Sequence, residues 1–154
     1  MKIRMNLFDM IINILCIIMI IGVGVYLFII WGEIPEQMPA QYNLSGEVSR
    51  WAGKNEILFM PALALFMFVF ITVIELFPRI WNIPVRVTAA NIGRVYRMIK
   101  NMIGCIKFFM TAMFVSIPVF QAKTMSIPGG FIFSLVGVLF IVIIGHVIAI
   151  ARYR

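Results

Sequence analysis

Apolar residues fall in four nearly unbroken stretches, at about 7–30, 57–77, 102–120 and 131–150. A helix needs roughly 20 such residues to cross a hydrocarbon layer about 30 Å thick. The runs are continuous and lack the in–out alternation of a barrel wall, so they predict helices. Three polar connections separate them, at 31–56, 78–101 and 121–130. The pattern predicts an all-α membrane protein: a bundle of four transmembrane helices forming one membrane domain over 1–154. The connection at 31–56 is expected to be ordered.

Composition sharpens this picture. Hydrophobic residues make up 63% of the chain and charged ones only 12%, more apolar surface than a water-soluble domain of 154 residues can hide. The charges that remain are asymmetric. Lys2, Arg4, Arg79, Arg86, Arg94, Arg97, Lys100, Arg152 and Arg154 flank one side of the predicted spans, whereas Arg50, Lys54 and Lys123 flank the other. Basic residues collect on the cytoplasmic side, so both termini are expected inside and the 31–56 loop outside. The net charge of +7 is then explained by attraction to anionic membrane lipid, and no nucleic-acid partner is expected. The apolar stretch after Lys2 and Arg4 is too long for a cleaved signal and lacks a small-x-small site, which predicts an uncleaved anchor. Cys16 and Cys105 fall within apolar runs and are expected to pack rather than to report a redox compartment.

The loop at 31–56 is the most informative stretch. Ile34-Pro35 and Met38-Pro39 make its start extended or turn-like, and Asn43 to Gly46 has turn chemistry, with Gly46 free to take positive φ. Trp31 and Trp51 bracket it as interfacial anchors. About 25 residues so bounded are expected to fold back on the bundle, as an interfacial cap or as a binding surface. For binding, the candidates are Gln41, Tyr42, Asn43, Glu47, Trp51 and Lys54. By chemical type, Tyr42 and Trp51 offer apolar contact, Asn43 hydrogen bonds, and Lys54 a contact to phosphate or carboxylate.

Ile34-Pro35, Met38-Pro39, a polar residue two positions on, an aromatic, Asn43, Gly46, Trp51 and Lys54 resemble the signature of a bacterial membrane family, DUF 1648. The same module forms the N-terminal part of SdpI-type immunity proteins. The resemblance covers roughly the first half of the chain and implies a membrane protein with an immunity-like role. Two positions depart from it: the family's usual His is Gln41 here, and its usual acid is Ser49.

Two further features carry charge. In the connection at 78–101, Arg86, Arg94, Arg97 and Lys100 alternate with an apolar stripe of Ile92, Val95, Tyr96 and Ile99. That spacing predicts a basic amphipathic helix running into the third span and anchored on the inner leaflet. A docking surface for a cytoplasmic partner is the other reading. Within the spans, Asp9, Glu75, Lys107 and His146 all lie toward the inner end, and ionisable groups in lipid usually face protein or water. Pairing of Glu75 with Lys107, joined by His146, predicts an intramembrane polar cluster; side chains snorkelling from helix ends give the same sequence. Gly22, Gly24, Gly137 and Gly145 suggest close helix approach.

Catalysis has little support. The chain has one histidine, no zinc-binding pair of histidines at helical spacing, no nucleophile turn and no phosphate-cradling loop, so no catalytic residue, metal or cofactor is expected. The expected function is non-enzymatic: binding, immunity or sensing toward an antimicrobial peptide or lipid headgroup at the outer face. Expected partners are membrane lipid, a peptide ligand or another membrane protein, and a homo-oligomer is compatible with the sequence. Transport of a proton or small solute past Glu75, Lys107 and His146, or a structural role in a larger membrane complex, are the alternatives.

Overall fold

The computed structural model describes residues 5–152; Lys2, Arg4 and Arg154 lie outside them. Four long helices run in chain order: α1 (Leu7–Ile29), α2 (Phe59–Leu76), α3 (Ile92–Ala122) and α4 (Gly129–Ala151). All four are long and apolar enough to cross a membrane. Their outward side chains, among them Ile18, Phe28, Phe66 and Ile141, are large, apolar and exposed. Lipid is the solvent for such surfaces, and the chain is a multi-pass membrane protein.

The third helix organises the bundle. It packs against α1, α2 and α4, while α1 and α2 touch each other more lightly. With 31 residues at ~1.5 Å each, α3 is roughly 46 Å long, well beyond a hydrocarbon core. The excess is the basic segment from Ile92 to Lys100, so the predicted amphipathic helix and third span are one continuous element. Pro118 lies within α3 near its far end, and Pro61 sits in the first turn of α2, where its missing N–H leaves no hydrogen bond unmade. Of α4, only Ile150 is buried among the residues from 130 to 151.

Small residues contribute less to packing than their number suggests. A Cβ added at Gly22, Gly24, Gly137 or Gly145 meets nothing within 4 Å, so these glycines do not mark close helix contacts. Gly104 does: a Cβ there lies 3.6 Å from Phe8 and 4.0 Å from Glu75 Oε1, where α3 passes between α1 and α2.

The loop between α1 and α2 contains a feature the four-helix expectation lacked, an antiparallel hairpin of β1 (Gln37–Tyr42) and β2 (Val48–Gly53). Pro39 is tolerated because this two-stranded ribbon has only edges. Met38 and Ile57 are fully buried against Val23 and Leu27 of α1 and Ala122 of α3, which seats the hairpin on one end of the bundle. A 3-10 turn (Lys54–Leu58) leads into α2. At the opposite, basic end, the segment after α2 folds back so that Trp81 and Val85 pack with Val95, Ile99 and Ile150. The Trp81 indole N–H closes this corner by donating to the Ile74 carbonyl at 2.9 Å.

Candidate functional site

At the basic end, charges are matched inside the bundle. Lys107 is only 1% exposed, midway along α3, and its ammonium donates to Glu75 Oε2 at 2.8 Å and Asn13 Oδ1 at 2.7 Å. A longer contact of 3.4 Å reaches the Thr72 hydroxyl, and the Phe68 ring lies 5.4 Å away. Three donors on the ammonium thus meet three oxygens from two neighbouring helices. Glu75 and Lys107 are together as the sequence suggests. His146 turns to its own helix, its Nδ1 2.8 Å from the Val142 carbonyl.

A second group lies closer to the basic end. Asp9 Oδ2 receives Lys100 at 2.9 Å and Arg97 at 3.0 Å. The same carboxylate also accepts from the Asn6 backbone N–H at 3.0 Å, completing a reciprocal cap on α1. Asn13 Nδ2 donates to the Asp9 carbonyl, linking the two groups through one turn of α1. The four basic residues expected at the inner leaflet therefore divide. Arg86 and Arg94 are exposed, whereas Arg97 and Lys100 reach inward to Asp9.

The hairpin end is built differently. Two irregularities break the strand pairing: Pro39 faces Trp51 and Gln41 faces Arg50, leaving Ala40 without an opposite number, and Tyr42 faces Val48, leaving Ser49 unpaired. Such bulges bend a ribbon and redirect its side chains and carbonyls. The bent hairpin overhangs the ends of α2, α3 and α4. The Tyr42 hydroxyl donates to the Met125 carbonyl at 3.2 Å, and the Ile127 N–H donates to the Gly46 carbonyl at 3.1 Å. Burial pushes the Tyr42 phenol up to about 12, so it stays a donor at ordinary pH.

Beneath the overhang are two adjoining cavities. The larger, about 430 Å³, has walls of Tyr42, Met113, Ile117, Ile127, Ile132 and Phe133, with Gln41 and Ser49 also lining it. The smaller, about 320 Å³, is lined by Arg50, Glu56, Phe59 and Gln121. Ala40, Gln41 and Met60 border both, so the two lobes adjoin, and the smaller is the more polar, with Arg50, Glu56 and Gln121 in its wall.

Residues 14–65 match the model of a domain of unknown function, DUF1648. No curated protein and no solved structure matches the chain. The DUF1648 segment starts within α1, includes the whole hairpin and ends within α2. Gln41 and Ser49, where this chain departs from the expected signature, both face the apolar lobe.

The six loop residues singled out by chemical type separate in space. Gln41, Tyr42 and Asn43 line the apolar lobe. Asn43 is also the keystone of the turn: its Oδ1 accepts from the N–H groups of Ser45 and Glu47, each at 2.9 Å, and its Nδ2 donates to Glu47 Oε2 at 3.0 Å. Gly46 completes that turn at φ 83°, a conformation favouring glycine. Trp51 is exposed on the outer side of β2, and Lys54 holds its ammonium 4.9 Å from the Trp31 ring. Sequence reasoning missed Arg50, Glu56 and Gln121, which come together only when the hairpin folds onto α3. Among the described residues, no group of three His, Cys, Asp or Glu side chains is placed to hold a metal.

Proposed function

We propose that the protein is a non-enzymatic binding protein of the bacterial inner membrane, with both termini inside, whose hairpin end receives an amphipathic ligand at the outer face. A lipid or an antimicrobial peptide has the required chemistry, and an immunity or sensing role follows from holding it. The observation that carries the reading is the pair of adjoining cavities beneath the hairpin, one strongly apolar and one bearing Arg50, Glu56 and Gln121, at the level where α2 begins and α3 ends. Ligand sites combine apolar walls with a few placed polar groups in this way. The polar groups here are binding groups rather than a nucleophile–base pair.

Transport is supported by one observation, the buried polar residues Lys100, Lys107, Thr111 and Gln121 along α3. Ten residues separate Thr111 from Gln121, about 15 Å of helix whose one other buried residue is Pro118, which favours a closed bundle over a continuous path.

Filling the apolar lobe tests the binding reading. Ile117→Trp in the full chain, purified in mild detergent, is expected to abolish retention of phospholipid in native mass spectrometry. Trp51→Ala with Lys54→Ala, outside the lobes, is expected to leave retention unchanged. Equal lipid retention by wild type and Ile117→Trp overturns the proposal.

A further inference from the structure

The polar lobe carries its own chemical specification. Gln121 is 2% exposed, one residue from the end of α3, and its Nε2 points to the Ala40 carbonyl at 3.5 Å. That carbonyl belongs to the residue left unpaired by the first bulge. The other half of the amide, Oε1, is buried with no hydrogen-bond partner. A buried acceptor without a donor costs about 1–3 kcal/mol. A ligand group that met this oxygen would have to be a donor.

The remaining polar lining narrows the class. Arg50 and Glu56 form a two-pronged pair, with contacts of 2.7 and 3.4 Å, and both are about half exposed. Pairing leaves further acceptor sites on the carboxylate and further N–H donors on the guanidinium. Two acceptors, one of them anionic, thus share a cavity with one fixed cation. A group that satisfies all three has a cationic donor at one end and an anionic acceptor nearby. The volume of about 320 Å³ exceeds that of a few waters at ~30 Å³ each, and an apolar lobe suited to an alkyl chain adjoins it across Ala40, Gln41 and Met60.

We infer that the hairpin end binds a glycerophospholipid whose headgroup ends in a primary ammonium: the ammonium donates to Gln121 Oε1 and Glu56, the phosphate accepts from Arg50, and an acyl chain occupies the apolar lobe. This rests on the binding reading above and adds the ligand's class. A quaternary ammonium has no N–H to give Gln121. A glycerol headgroup has hydroxyl donors but places net negative charge beside Glu56. Position agrees with chemistry, because Glu56 lies just before α2 and Gln121 just before the end of α3, where headgroups meet the hydrocarbon layer.

The experiment uses the full chain in detergent, titrated separately with dioleoyl phosphatidylethanolamine, phosphatidylcholine and phosphatidylglycerol and read by native mass spectrometry. The ethanolamine lipid is expected to bind about tenfold more tightly than either other lipid, a difference of about 1.4 kcal/mol. Gln121→Leu, which removes the unsatisfied acceptor and keeps the fold, is expected to erase the preference over choline. Glu56→Gln is expected to erase the preference over glycerol. Unchanged melting temperatures in both variants show that the effect is not loss of fold; Gln121→Met replaces the leucine variant if it melts early. Equal binding of the three lipids by wild type, with Ile117→Trp still abolishing it, overturns the headgroup inference alone. Absence of any retained lipid, or retention that Ile117→Trp does not change, overturns the binding reading and this inference with it.

Discussion

The two ends of the bundle treat polar groups in opposite ways. At the basic end, Lys107, Lys100 and Asp9 are buried, Glu75 nearly so, and each charge touches its opposite within 3 Å. At the hairpin end, space remains beside Gln121, whose carbonyl oxygen has no partner. Asn101 Oδ1 is likewise unpartnered, but it lines neither lobe. A matched buried pair holds helices in register and has little left to offer another molecule. Charge density alone therefore misleads here: of the two unpartnered buried acceptors among the described residues, the one on a residue that lines a cavity lies at the end with fewer charges.

The sharpest way to break the comparison is to unmatch the basic end. Lys107→Met leaves Glu75 buried and alone, and is expected to cost roughly 3–5 kcal/mol of stability, seen as a large fall in melting temperature in detergent. Exchanging the pair, Glu75→Lys with Lys107→Glu, should recover most of it; a double variant no better than the singles contradicts the pairing. Next in size is Asp9→Asn, which removes the countercharge of both Lys100 and Arg97. About 1.5–3 kcal/mol is expected, and less than additive loss with Lys100→Met.

Changes at the hairpin end should be milder and local. Gly46→Val forces a branched side chain into positive φ, at about 1–2 kcal/mol, and should speed hydrogen exchange in the hairpin while the basic end keeps its protection. Tyr42→Phe removes the bond to Met125 and is expected to cost about 1 kcal/mol. Because folding raises the Tyr42 pKa from 10.0 to about 12, its contribution is full below pH 10 and disappears as pH rises through about 12. A pH titration of wild type against Tyr42→Phe checks this, the advantage of wild type falling as pH rises from 10 to about 12. Smallest of all, Arg50→Ala should leave the melting temperature unchanged, since its partner Glu56 is as exposed as it is.

Hydrophobic runs made α1, α2 and α4 legible to within a few residues, because lipid imposes one requirement on every span, whereas α3 begins ten residues before its run, in the basic segment. The pairing of Glu75 with Lys107 was also readable, from the cost of leaving either alone in lipid. Strand pairing in the hairpin was not. Pro39 interrupts β1, and two bulges erase the alternation by which strands announce themselves. Gln121 escaped notice for a different reason: a lone glutamine at a helix end is ordinary, and its significance depends on a carbonyl 81 residues away. His146 shows the converse, a conspicuous residue whose ring is turned to its own helix.

The order of the charged residues along the chain bears on how it is made. Asp9 and Glu75 are synthesised before Lys100 and Lys107, so both acids stand on helices that emerge from the ribosome earlier. A lysine entering lipid unaccompanied costs about 2.5–3.5 kcal/mol at mid-membrane, and α3 is the least apolar of the four candidate spans. Synthesis order thus delivers the acidic partners on α1 and α2 before the lysines of α3 that they pair with.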